Sequence, residues 1–211
     1  MQLKSKKNLL ESRINKPNKF ELRRQQLAEA TLAALGEFGY AKTSLRDIAA
    51  KSNFSLGTLH YYFVDKDDLI AYCVRIYKRH FIDDVNQLVA TATGIESLKR
   101  NFIRYFVVTV SKDSESHRLW YDIRSQAMFD SQFRPLVAEL DQSLCDMIAG
   151  LAARIQDFIG RPLALSPNHV YWVLDGMFQH YLLAHIEGTE NADANFELKL
   201  TAFVDNLVIK E

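Results

Sequence analysis

The stretch SLRDIAAKSNFSLGTLHYYFVDKDDL, residues 44–69, decides how the chain is organised. A short amphipathic pattern breaks at Ser52-Asn53-Phe54 and restarts at once. Ser44 followed by Asp47 has capping-box spacing, so a helix is expected over about 44–52, with Leu45, Ile48 and Ala49 inward. Ser55 caps a further helix over about 55–62, with Leu59 and Phe63 inward. Asp65, with Asp68 three residues on, starts another. Asn53 falls where so short a turn needs a left-handed backbone, which asparagine tolerates best after glycine. Such a turn sets one helix sharply across the next, as in the helix-turn-helix unit. There the second helix enters the DNA major groove, N-terminal residues first, while the first lies across the backbone.

On that reading Leu56, Gly57, Thr58, His60, Tyr61 and Tyr62 face outward. Gly57 leaves room for close approach to a duplex. Thr58, His60 and the tyrosines bring hydroxyl and imidazole groups to phosphates and base edges. Lys66 opens the following helix, where its charge and the unpaired backbone N–H groups can hold a phosphate together. Upstream, a helix from Phe20 to about Phe38 puts Leu27, Thr31, Ala34, Leu35 and Phe38 on one face, and Gly39 stops it. Arg23 and Arg24 lie near its start, behind a basic tail.

The chain of 211 residues has zero net charge, but unevenly spread. Residues 1–66 carry 12 Lys or Arg against 6 Asp or Glu; residues 67–211 carry 14 against 20. A basic first third points to a polyanionic partner. No apolar run approaches the roughly 18 residues of a membrane span, and the basic N-terminus lacks the apolar region of a secretory signal. Cys73 and Cys145 stand far apart with no metal-ligand spacing, and read as reduced thiols of a cytoplasmic protein.

Helical periodicity continues to the end. The fourth helix runs for about 25 residues, with Leu69, Cys73, Ile76, Tyr77, His80, Phe81 and Leu88 on its stripe. Further helices are expected over Ile95–Val110, Ser116–Phe129 and Phe133–Ile159, and from Ser166-Pro167 to about Glu187, followed by Gly188. The last spans about Ala192 to Ile209. The fold class is all-α with about nine helices: a basic arm at 1–19, a three-helix unit at 20–66 and a larger helical body at 67–211.

From Leu27 to Leu69 the sequence LAEATLAALGEFGYAKTSLRDIAAKSNFSLGTLHYYFVDKDDL resembles the TetR-type transcriptional regulators. The elements of that resemblance are a helix ending Phe-Gly, a Thr, Ile-Ala, the turn, Ser-x-Gly-Thr-Leu, an aromatic cluster ending in Phe, and Lys-x-x-Leu. Asn53 stands where the family has glycine, His60 where it usually has tyrosine, and Tyr62 where histidine is common. The resemblance implies backbone-phosphate contacts from Thr43, Tyr61 and Lys66, and base-facing roles for Leu56, Gly57, Thr58 and His60. Ser44, Ser55 and Tyr62 complete the candidate interface.

The resemblance also implies a body that dimerises and holds a small molecule. Val170, Val173, Leu174, Met177, Tyr181, Phe196, Leu200, Phe203 and Val204, on the last two helices, form the expected dimer interface. Phe102, Tyr105, Phe106, Trp120, Arg124, Met128, Trp172, Asp175 and Gln179 form the expected pocket, mixing aromatic walls with a few polar groups. LRRQQL at 22–27, RLWYDIRSQAMFDSQFRPL at 118–136 and VLDGMF at 173–178 are similar to the choline-responsive branch of the family. An aromatic cage with one carboxylate would suit a quaternary ammonium. The six histidines form no metal-ligand pattern, and no GxSxG, GxGxxG or Walker loop occurs. The expectation is therefore a repressor without cofactor or catalysis, which binds a palindromic operator as a homodimer and is released by a small-molecule effector. An all-helical small-molecule-binding protein or enzyme without a DNA role is the alternative.

Overall fold

The computed structural model describes residues 19–39 and 43–208. The basic arm before Lys19, the inward positions expected for Ala34 and Phe38, and the end of the last helix at Ile209 lie outside the described backbone or side chains. Among the described residues there are nine α-helices and no strand. They are α1 (Lys19–Phe38), α2 (Leu45–Ser52), α3 (Leu56–Tyr62), α4 (Lys66–Thr91), α5 (Ile95–Lys112), α6 (Ser114–Gln126), α7 (Arg134–Ile159), α8 (Pro167–Ile186) and α9 (Ala192–Val208), with a 3-10 turn at Ser131–Phe133.

Local chemistry accounts for the boundaries around the turn. Gly39 ends α1 with φ 71°, and the Gly39 N–H donates to the Leu35 carbonyl. Ser44 closes a full capping box with Asp47 at the start of α2. Asn53 sits at φ 56°, ψ 25°, in the left-handed region. Ser55 and Asp65 cap α3 and α4 by accepting from the backbone N–H groups of Thr58 and Asp68. Asn53→Ala should therefore lower stability by about 1 kcal/mol, because alanine keeps the β-carbon crowding but loses the short polar side chain that bonds locally to the left-handed backbone, while Asn53→Gly, which removes both, should change it little. Urea midpoints of the two variants check this, and equal midpoints would sink the account.

α1, α2 and α3 close over Leu27, Leu35, Ile48, Leu59 and Phe63, each at most 1% exposed. α4 packs on α1 at one end and along α7 further on. α1 also rests on α6, and at their contact Gly39 approaches Asp122 so closely that a β-carbon would lie 3.2 Å from the carboxylate. The buried apolar residues form one continuous cluster from Leu27 to Leu207.

The structure corrects several sequence expectations. His80 is exposed, because it lies 100° around the helix from Phe81; Ile70, Val74, Lys78, Phe81 and Val85 turn inward instead. α6 stops at Gln126, whose carbonyl accepts from the Phe129 and Asp130 N–H groups, and Met128 and Phe129 stand exposed in the turn. Val170, Leu174, Phe196, Leu200 and Val204, expected between two subunits, are buried within this one. They join α8 and α9 to α5 and α7, so those side chains are not available to a partner. Of the expected set only Val173 is exposed, with Met177, Tyr181 and Phe203 half-buried.

Candidate functional site

α3 has two unlike faces. Leu59 is fully buried, and Phe63, which follows the helix, packs under Arg24 of α1 at 4.9 Å. Ser55, Gly57, His60 and Tyr61 face solvent, and Leu56, Thr58 and Tyr62 are half-buried. The Thr58 hydroxyl lies 2.8 Å from that of Ser55, so the cap and Thr58 form one polar group at the helix start. Nothing but Ser55 Oγ, at 3.8 Å, would meet a β-carbon on Gly57, which leaves the outward side open. Ser44 is exposed at the start of α2, bonded to Asp47. Lys66 opens α4.

Tyr61 is 72% exposed, and its ring meets Tyr62 edge-on at 4.9 Å. Phe20 of α1 touches both rings, edge-on to Tyr61 at 6.1 Å and tilted against Tyr62 at 4.8 Å. Tyr62 is thus wedged between α1 and α3, and holds Tyr61 outward. Thr43 departs from its expected role. It is buried, and its hydroxyl donates to the Gly39 carbonyl at 2.7 Å, tightening the segment that leads to α2. Its side chain supports the interface and is not presented by it. Arg24 is also committed inward, paired with Asp68 at 2.8 Å and lying over the Tyr72 ring at 4.4 Å.

The body contains a second polar site. A cavity of about 30 Å³ lies between α4, α5, α6, α7 and α8, lined by Lys78, Phe81, Phe106, His117, Tyr121, Asp175 and Phe178 among others. That volume holds about one water. Outside it is an open cleft of about 500 Å³ bounded by Tyr121, Arg124, Met128, Val137, Asp175 and Gln179. Tyr121 and Asp175 border both spaces. The Asp175 carboxylate accepts from the Tyr121 hydroxyl at 3.0 Å and pairs with Arg124. Asp141 accepts from the Tyr171 hydroxyl at 2.6 Å and faces Arg124 at 3.4 Å.

Burial and the adjacent Asp175 charge hold the Tyr121 hydroxyl well above its ordinary pKa. Burial, with Lys78 nearby, pushes His117 well below its usual value, so its ring is neutral. That ring lies 2.6 Å from the Tyr77 hydroxyl and 3.1 Å from that of Thr109.

The expected pocket residues divide. Phe106 and Asp175 reach the cavity, and Arg124, Met128, Asp175 and Gln179 the cleft. Phe102 faces a separate crevice of only about 10 Å³. Trp120 is fully buried beneath Lys78, and the Tyr105 hydroxyl donates to Asp84. Trp172 is 59% exposed on the outer side of α8. Phe102, Trp120, Tyr105 and Trp172 therefore do not line the cavity, because helical spacing alone does not say which neighbour an aromatic meets. Lys78 and His117 were missed. Their one sequence signal was a lysine between Val74 and Phe81 on an otherwise apolar stripe.

The fold and the α3 surface define a helix-turn-helix regulator with a helical body behind it. Residues 27–73 match the model of the bacterial regulatory proteins, tetR family. Over those residues the chain carries the tetR-family DNA-binding segment, which supports a TetR-type transcriptional regulator. It is 26% identical over 175 residues to the HTH-type transcriptional regulator PksA of Bacillus subtilis, covering 77% of this chain and 80% of that protein. It is 41% identical to the HTH-type transcriptional regulator BetI of Yersinia pestis, but over 69 residues, 33% of this chain and 35% of that one. In fold it is similar to a transcriptional regulator from Saccharomonospora viridis in complex with choline, with a TM-score of 0.75, 14% identity, and coverage of 90% of this chain and 100% of that one.

Proposed function

We propose that the protein is a ligand-responsive repressor that binds a palindromic operator as a homodimer and leaves it when a small molecule enters the body. Residues 20–66 would form the DNA-binding unit and 67–211 the ligand-binding and dimerising one, acting in the cytoplasm. The observation that carries the DNA contact is the division of α3. One face is locked by Leu59, and the other offers Thr58, His60 and Tyr61 to a groove. Two recognition helices one helical turn apart would read a two-fold symmetric site.

The effector would act by population shift, binding the DNA-incompetent arrangement more tightly. The relation of cavity to DNA unit supports this. Tyr121 borders the cavity on α6, and the next residue, Asp122, meets the end of α1 at Gly39. A ligand that displaces α6 would shift α1 and the long α4, and with them the spacing of the two recognition helices. The choline bound by the Saccharomonospora viridis regulator supports a small-molecule site in such a body.

A gel shift at several salt concentrations on the promoter of a neighbouring gene tests the DNA role. Tyr61→Ala with Lys66→Ala should weaken binding at least tenfold and flatten the salt dependence by about one counterion. Unchanged binding would remove both from the interface. Turnover without any DNA binding would favour the alternative of a helical enzyme or ligand carrier.

A further inference from the structure

Lys78 has no part in the α3 surface or in the Arg124 network. It lies on the inward face of α4 and is 4% exposed. Its nitrogen sits over three rings, at 5.1 Å from Trp120, 5.2 Å from Phe81 and 5.6 Å from Tyr77. It also borders the cavity. No described carboxylate lies within ion-pair distance of it. The two nearby acids are engaged elsewhere, Asp175 with Arg124 and Tyr121, and Asp141 with Tyr171 and Arg124. The other polar groups around the cavity are the neutral His117 ring and the hydroxyls of Tyr121 and Tyr171.

Ring faces attract a cation but accept no strong hydrogen bond. A buried ammonium without an acceptor is costly, and buried charges in folded proteins are ordinarily paired. Methionine would fill the same volume without that cost. The cavity beside Lys78 has room for a water and, if enlarged, for an acceptor carried by a ligand.

We propose that the body binds an organic anion, a molecule whose carboxylate or similar acidic group pairs with the Lys78 ammonium while an apolar portion rests against Phe81, Phe106 and Phe178. This rests on the small-molecule reading above and specifies its charge. A carboxylate with one aromatic ring or a short alkyl chain fits the lining. The cavity of about 30 Å³ is too small for it, so Tyr121 and Asp175 must part to join cavity and outer cleft. That movement displaces α6 next to its contact with Gly39. A quaternary ammonium is disfavoured at this position, because its permanent positive charge would meet the Lys78 ammonium, while the Asp175 carboxylate on the same wall is already engaged by Arg124 and Tyr121.

Calorimetric titration of the full-length protein with matched probes tests the charge class: benzoate and hexanoate, their amides, and benzyltrimethylammonium and choline. Benzoate or hexanoate should bind the wild type, and Lys78→Met should weaken that binding at least tenfold while circular dichroism shows the variant folded. The amides should differ less than twofold between the two proteins. Binding of the acids at equal strength to Lys78→Met would overturn the proposal, as would tighter binding of either ammonium compound than of either acid, or failure of both acids to bind. If amides or ammonium compounds bind while neither acid does, only the anion assignment falls. If no probe of any class binds, the small-molecule reading of this cavity falls with it.

Discussion

Lys78→Met is expected to stabilise the protein at neutral pH by several kcal/mol, and the gain should shrink as the solution becomes alkaline. Burial pushes the Lys78 amine down from 10.5 to about 7 in the folded chain, opposed in part by Asp175. Between those two values the unfolded chain binds the extra proton, so the wild type gains stability as pH rises through the window. Below about pH 7 both states are protonated and the folded state carries the whole cost, on the order of 5 kcal/mol for a shift of that size. Above 10.5 the cost is gone. Methionine removes the titrating group and the cost together. Urea unfolding at pH 6.5 and pH 9.5 gives the comparison: the advantage of the variant should be largest at 6.5. An advantage equal at both would show that Lys78 is not held against its charge. His117 acts on the acid side. Its pKa is depressed by burial and by Lys78, so its neutral form supports the fold above about 6.5, and that support is lost as pH falls towards its lower folded value. The methionine variant should tolerate acid better for the same reason.

If the protein is the homodimer proposed above, Leu183→Asp combined with Leu198→Asp should leave a folded monomer that no longer holds an operator. Leu183 is 55% and Leu198 63% exposed, and Trp172 and Val173 add 59% and 40% on the outer side of α8. In a dimer built on α8 and α9, this is the face left to meet a partner. Two uncompensated carboxylates per subunit, buried against apolar surface, would each cost several kcal/mol, enough to weaken association more than a hundredfold. Leu200→Ala offers the contrast. Leu200 is fully buried within one subunit, so its truncation should lower protomer stability by about 2–5 kcal/mol through the cavity it leaves. Sedimentation velocity with operator gel shifts separates the two effects. A double aspartate variant that still sediments as a dimer would place the interface elsewhere.

The helix-turn-helix unit was legible in the sequence because its signals are local. Ser44 with Asp47, Ser55 with Thr58, and Asp65 with Asp68 are caps within three residues, and the structure forms each of them. Asn53 takes the left-handed turn. Where the reading of this region failed, at Thr43, the cause was a carbonyl four residues back that consumes the hydroxyl. Phe20, which steadies Tyr61 and Tyr62, is some forty residues away from them, and no spacing rule connects the two.

The body was less legible. Helical periodicity identifies an apolar face without saying what covers it. Val170, Phe196 and Leu200, expected at a dimer interface, are buried within one subunit. Trp120 and Trp172 carry the same ring, but one is fully buried under a lysine and the other stands on the surface. By itself the sequence determined the helices, their caps, the turn at Asn53 and the basic first third, since each depends on neighbours within about four residues or on composition. Only the tertiary structure decided which faces are spent inside the subunit, and that Lys78, remote in sequence from Trp120 and Asp175, stands beside them without a carboxylate partner. Those facts depend on how helices distant in the chain pack, and the free energy of a buried charge depends on that packing far more than on its own sequence neighbours.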